Sequence, residues 1–197
     1  MSSDWGQSPI NLDTEAATYL GLGSGAVVDV PETRSNISEA FLVVNNGYNL
    51  LVYISGSWKV TLNNKTKNYH NVDSFNFHWE SVNSRGSEHT VDNASFPLEM
   101  QILTYSSMFR DTFEAAKYPG GTAIISVLFQ MTANQSESSL SKMGNLLSAI
   151  DNLTAFGSSA LVSYLKPMSY CLKTGMSSSA NWVLSLFHPA EGIFSER

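Results

Sequence analysis

Residues able to do chemistry concentrate in two short alternating runs. In Ser74-Phe75-Asn76-Phe77-His78-Trp79 an extended backbone sends Phe75, Phe77 and Trp79 to one side and Asn76 and His78 to the other. Some twenty residues on, Pro97-Leu98-Glu99-Met100-Gln101-Ile102-Leu103 places Glu99 and Gln101 together in the same way. Between the runs lies Gly86-Ser87-Glu88-His89-Thr90-Val91, with a carboxylate and a second imidazole. Asn76, His78 and Gln101, two amides and an imidazole, could hold a metal or a small polar ligand, with Glu88 and Glu99 expected to make structural hydrogen bonds. They could equally satisfy one another as a buried polar cluster. The polar cluster is the expected arrangement.

The elements that would position these groups are mostly strands. Ala40–Val44, the turn Asn45-Asn46-Gly47 and Asn49–Ile54 read as a hairpin, and Trp58–Leu62 alternates as a further strand. After the two polar runs come a short helix at 112–117, closed by Pro119-Gly120-Gly121, and an apolar strand at 123–129. Leu140, Met143, Leu146, Leu147 and Ile150 recur at helical spacing, so one amphipathic helix is expected over Ser139–Ile150 with Ser138 or Ser139 as its cap. A last strand is expected at Trp182–Phe187, and the N-terminal start is expected to be irregular. The fold class is mainly β with short helices, one domain over residues 1–197.

Composition narrows the function. The 197-residue chain is 43% hydrophobic with a net charge of -6, so it packs a core and offers no basic stripe for nucleic acid. No apolar run approaches the roughly twenty residues of a membrane-spanning helix. The first residues lack the features of a signal peptide, so a secreted protein would need a leader absent from this chain. Five sequons, at Asn36, Asn64, Asn93, Asn134 and Asn152, exceed chance expectation and point to a secreted glycoprotein. Cys171 is the single cysteine, which excludes an intramolecular disulfide; a buried thiol is expected, with an intermolecular bridge as the alternative. His70 and His188 have no supporting neighbours and are expected at the surface. Gly21-Leu22-Gly23-Ser24-Gly25 lacks the Lys of a phosphate loop and reads as a plain loop.

The ordered motifs resemble the α-type carbonic anhydrases. Gln7-Ser8-Pro9-Ile10-Asn11, Asn45-Asn46-Gly47, Phe75-Asn76-Phe77-His78-Trp79, Gly86-Ser87-Glu88-His89-Thr90-Val91 and Glu99-Met100-Gln101 follow that family's order and spacing. The resemblance implies a twisted, mostly antiparallel central sheet with a cone-shaped pocket, in which three His from two strands hold zinc for carbon dioxide hydration. Position by position it places Asn76, His78 and Gln101 where the zinc ligands stand, Tyr48 at the proton-shuttle position, and Glu88 and Glu99 in supporting roles. Glu99 would steady the third ligand's ring, and beside Gln101 it has no imidazole of that kind to act on. A gatekeeper hydroxyl motif is not legible before Trp182; the nearest text, around Thr174, does not match it.

The exchanged residues have a chemical consequence. Catalytic zinc takes three nitrogen, sulfur or carboxylate donors, and neutral amide oxygens suit it poorly. The metal's task is to lower the pKa of its water from about 15.7 to about 7, so its loss removes roughly eight orders of magnitude of hydroxide at neutral pH. The resemblance therefore implies a carbonic-anhydrase-related protein with no catalytic residues, no cofactor and no bound metal. Its chain is short against the family's usual domain, as if truncated at both ends. Uncovered sheet edges then point to a homo-oligomer or another protein as partner. The alternatives are a residual metal-dependent hydratase or esterase built on His78, and a pocket that binds a small ligand.

Overall fold

The computed structural model describes residues 9–16, 27–29, 40–54, 58–61, 69–131, 144–163 and 181–184. Its strands are β1 (Asn11–Leu12), β2 (Val27–Asp29), β3 (Ala40–Asn45), β4 (Leu50–Ile54), β5 (Lys59–Thr61), β6 (His70–Trp79), β7 (Thr90–Val91), β8 (Ala94–Ser95), β9 (Leu98–Ser106), β10 (Thr122–Phe129), β11 (Ser159–Ser163) and β12 (Asn181–Leu184). Two short helices, α1 (Thr112–Ala115) and α2 (Gly144–Ile150), complete the described elements. One nine-stranded antiparallel sheet runs β11-β3-β4-β6-β9-β10-β12, with β5 also on β6 and β2 on β5. The expected mainly β fold with a large antiparallel central sheet is what forms. β1, β7 and β8 make a separate three-stranded sheet.

Alternation sorts the large sheet into two faces. On one face, Val43, Val52, Phe75, Ile102 and Ile125 stand in cross-strand register over five strands, and Leu50, Phe77, Met100 and Val127 form the next row. All nine are buried and make up the centre of the apolar core. Burying each such side chain contributes about 1.5–3 kcal/mol, which fixes the strand register: a slip of one residue would turn every row to the other face. The opposite face, between those rows, carries Val44, Leu51, Asn76, Gln101 and Ser126 in one line and His78, Glu99 and Leu128 in the next. The core rows thus set the alignment of the polar rows.

A bulge in β6 between Val72 and Ser74 reconciles that register with the strand's N-terminal half. Its extra residue, Asp73, is anchored by hydrogen bonds from Thr112 Oγ1 (2.7 Å) and Ser74 Oγ (3.0 Å). α1 begins at the N-cap Asp111, whose Oδ1 accepts from the Glu114 N–H at 2.8 Å.

The expected hairpin, central strands and short helix all form, and β6 and β9 are longer than alternation alone suggested. Four expectations need correction. β11 was not anticipated; Ser159-Ala160-Leu161-Val162-Ser163 is too short for its pattern to stand out, and its pairing with β3 supplies the order. The N-terminal start, expected to be irregular, contains β1, paired parallel to β7, and β2, paired antiparallel to β5. Leu147 is exposed, so α2 meets the core through Leu146, Ala149 and Ile150. His70 is half-buried on β6, with Nδ1 at 3.2 Å from Thr104 Oγ1 and its pKa lowered by burial. The expected start of the second helix, its caps, Gly21–Gly25, Thr174, Cys171, His188, and the sequons at Asn36, Asn64 and Asn134 lie outside the described residues.

Candidate functional site

The polar rows converge at the C-terminal half of β6. Asn76 stands opposite Gln101 and His78 opposite Glu99, so all four share the face that alternation assigned them. The intervening segment is fastened over this face by a tight backbone approach. A Cβ on Gly86 would lie 1.8 Å from the Pro97 carbonyl oxygen, so only glycine lets the chain pass there. Next to it, Ser87 N–H donates to the Phe96 carbonyl at 2.8 Å, and Ser87 Oγ accepts from Phe96 N–H at 2.8 Å while donating to the His89 carbonyl. These contacts set Glu88 and His89 at the entrance to β9.

Glu99 is the hub. Fully buried, its Oε2 accepts the backbone N–H groups of Glu88 (2.9 Å) and His89 (3.0 Å), and its Oε1 accepts His89 Nδ1–H (2.6 Å) and the Gln101 amide (3.0 Å). Burial by itself would raise its pKa. The hydrogen bonds from the His89 ring and backbone, the nearby imidazole charge and the Ser126 hydroxyl outweigh that and hold it at about 2. Glu99 therefore does have an imidazole to act on, that of His89, which is as deeply buried. Nothing in the sequence singled out Ser126 except its being the one polar side chain inside the apolar run of β10, and register puts it beside Gln101.

Gln101 links the carboxylates. Its amide nitrogen donates both to Glu99 and to Glu88 Oε2 at 2.9 Å, so it bridges β9 and the 86–89 segment. Glu88 Oε1 in turn lies 3.1 Å from His78 Nδ1. A carboxylate accepts, so this contact places a proton on Nδ1. The chain His78–Glu88–Gln101–Glu99–His89 is continuous. The expectation of a self-satisfied cluster holds only in part: among the described residues, the buried atoms Asn76 Oδ1 and His78 Nε2 have no hydrogen-bond partner. Beside His78 and Glu88 opens a cavity of about 540 Å³, also lined by Trp79, Glu80 and Arg85, with Tyr48 almost wholly exposed at its edge.

The donors present can be tested against a metal. Asn76, His78 and Gln101 offer two amide oxygens and one imidazole, and the Gln101 amide nitrogen, which is no metal donor, bonds to two carboxylates. Among the described residues no group of three His, Cys, Asp or Glu side chains could hold a metal ion. That donor set does not fit catalytic zinc.

The whole arrangement can be set against known proteins. The family model for eukaryotic-type carbonic anhydrase matches residues 2–176. The chain belongs to the carbonic anhydrase family. It is 32% identical over 159 residues to human "Carbonic anhydrase 5B, mitochondrial", covering 77% of this chain and 48% of the relative, and 31% identical to the mouse protein of that name over the same span. Human "Carbonic anhydrase 7" is 30% identical over 127 residues, 63% of this chain and 46% of the relative. The chain thus spans about half the length of the curated relatives it matches. Among the described residues no helix is long and apolar enough to cross a membrane.

Proposed function

We propose that this carbonic anhydrase family member does not hydrate carbon dioxide and acts by association, as a secreted, glycosylated protein that assembles with itself or binds another protein. The observation that carries the first part is the donor set, one imidazole and two amides. At a position the family resemblance equates with a zinc ligand, the Gln101 amide nitrogen is held between Glu88 and Glu99, while Asn76 supplies a second amide and His78 the only imidazole of the three. Without three suitable donors there is no metal to make hydroxide at neutral pH. Glu88 engages His78, its Oε1 lying 3.1 Å from His78 Nδ1. Tyr48, almost wholly exposed, puts a phenol rather than an imidazole at the position the family resemblance equates with the proton shuttle.

One observation favours a second reading. Among the described residues Asn76 Oδ1 and His78 Nε2, two residues apart on one face of β6, are buried acceptors without a partner that a cation could recruit, the starting point for a residual metal-dependent hydratase or esterase. Metal analysis of the purified protein together with stopped-flow carbon dioxide hydration separates the two. The expected result is no stoichiometric zinc and a rate indistinguishable from the uncatalysed background. Stoichiometric zinc with chelator-sensitive turnover would overturn the proposal in favour of the second reading.

A further inference from the structure

We infer that the self-assembly surface is the open edge of the large sheet, strand β11, pairing antiparallel with β11 of a second copy about a two-fold axis at Leu161. This rests on the association reading above and names its surface. Among the described residues β11 has one neighbour, β3, and so presents one unpaired side. Such an edge is a template for another strand unless charge, proline or a bulge blocks it. None does here: β11 is Ser-Ala-Leu-Val-Ser, and residues 152–163 contain no charged side chain in a chain whose net charge is -6. Two acidic copies repel elsewhere and can meet on this neutral edge.

The strand is also self-complementary. Antiparallel pairing centred on Leu161 sets Ser159 opposite Ser163 of the other copy and Ala160 opposite Val162, small beside large, with Leu161 facing its own equivalent. On the core side, buried Val162 and half-buried Ala160 extend the apolar row across the axis. On the other side, Leu161 is 75% exposed and stands in register with Leu42 (38%) and Tyr53 (44%). Doubling at the axis turns this into one continuous row, Tyr53-Leu42-Leu161 followed by its mirror order in the second copy. A five-residue strand is about 17 Å long and this contact is smaller than the roughly 1,600 Å² of a standard stable interface. The dimer is therefore concentration-dependent.

The test is sedimentation velocity of the full chain over a dilution series, with Leu161→Lys as the disrupting variant and circular dichroism and thermal melting confirming that this exposed substitution leaves the fold intact. In parallel, Leu161→Cys and, as an off-strand control, Ala155→Cys are placed in a Cys171→Ser background and oxidised. A direct opposite pair in an antiparallel ladder has Cα atoms about 4.5–5.5 Å apart, within disulfide range. The expected result is a dimer that Leu161→Lys abolishes and a covalent dimer from position 161 and not from 155. A wild type that is monomeric throughout overturns both this inference and the self-assembly reading. A dimer that survives Leu161→Lys and gives no cross-link at 161 overturns only the assignment to β11.

Discussion

Replacing Glu99 by Gln removes one charge and one acceptor while keeping the shape, and the structure says it is not conservative. Each carboxylate oxygen faces two donors: Oε2 the N–H groups of Glu88 and His89, Oε1 the His89 ring and the Gln101 amide. Whichever way the new amide turns, its NH2 meets two donors and leaves them unpaired in a buried site. At about 1–3 kcal/mol per unsatisfied buried group, and with a buried ion-pair partner lost, the expected destabilisation at neutral pH is about 3–5 kcal/mol. In a domain of this size that lowers the melting temperature by about 10 °C. The pH dependence gives an independent reading. Glu99 has a folded-state pKa of about 2 against an ordinary 4.5, so it binds its proton more weakly when folded. Its contribution, about 3 kcal/mol, is present above the unfolded value and is lost as pH falls from there towards the folded one. Urea unfolding at stepped pH should show this acid loss in the wild type and not in Glu99→Gln. A variant within about 1 kcal/mol of wild type at neutral pH, or one with the same acid slope, would refute the account of Glu99 as the hub.

Gly86→Ala should destabilise by about 1–3 kcal/mol or more, because its Cβ would sit 1.8 Å from the Pro97 carbonyl and the segment carrying Glu88 must move; equilibrium unfolding checks this. The double substitution Asn76→His with Gln101→His should raise zinc content from none to about one per chain by elemental analysis. The same variant stripped of metal should melt below wild type, since both bonds of the Gln101 amide are gone; absence of zinc uptake would sink the idea that this is a zinc-site frame. Expressed through a secretory pathway, the protein should carry glycan at Asn93, which is exposed with φ 65° at the turn between β7 and β8. Peptide mapping with and without glycosidase reads that outcome, and an unmodified Asn93 on secreted protein would contradict it.

What could be read from sequence followed from periodicity. Phe75 and Phe77 on one side with Asn76 and His78 on the other is a two-residue alternation, and it correctly predicted which side chains share a face. It could not predict the partners. Glu88 sits ten residues from His78 along a loop, and only the passage of Gly86 beneath Pro97 brings its carboxylate to the ring. Likewise, motif resemblance paired Glu99 with position 101, whereas the deeper contact is with His89, fixed by backbone N–H groups whose direction no residue pattern encodes. β11 was illegible for a related reason: five small or apolar residues carry no distinctive period, and their conformation comes from the neighbour β3.

The groups that shape the site are tied down by contacts indifferent to metal: Ser87 to the backbone on both sides, Glu99 to two backbone N–H groups and to His89, and the β6–β9 register to the core rows beneath. Amides at positions 76 and 101 cost such a frame little provided their hydrogen-bonding groups find partners. Gln101 meets that condition for two carboxylates at once, which a histidine bound to metal through its ring would not do. Asn76 meets it only in part, since its buried Oδ1, like His78 Nε2, has no hydrogen-bond partner among the described residues. Gln101 is thus a structural residue in its own right. The unsatisfied pair at 76 and 78 is where this site stays open to a bound water or cation.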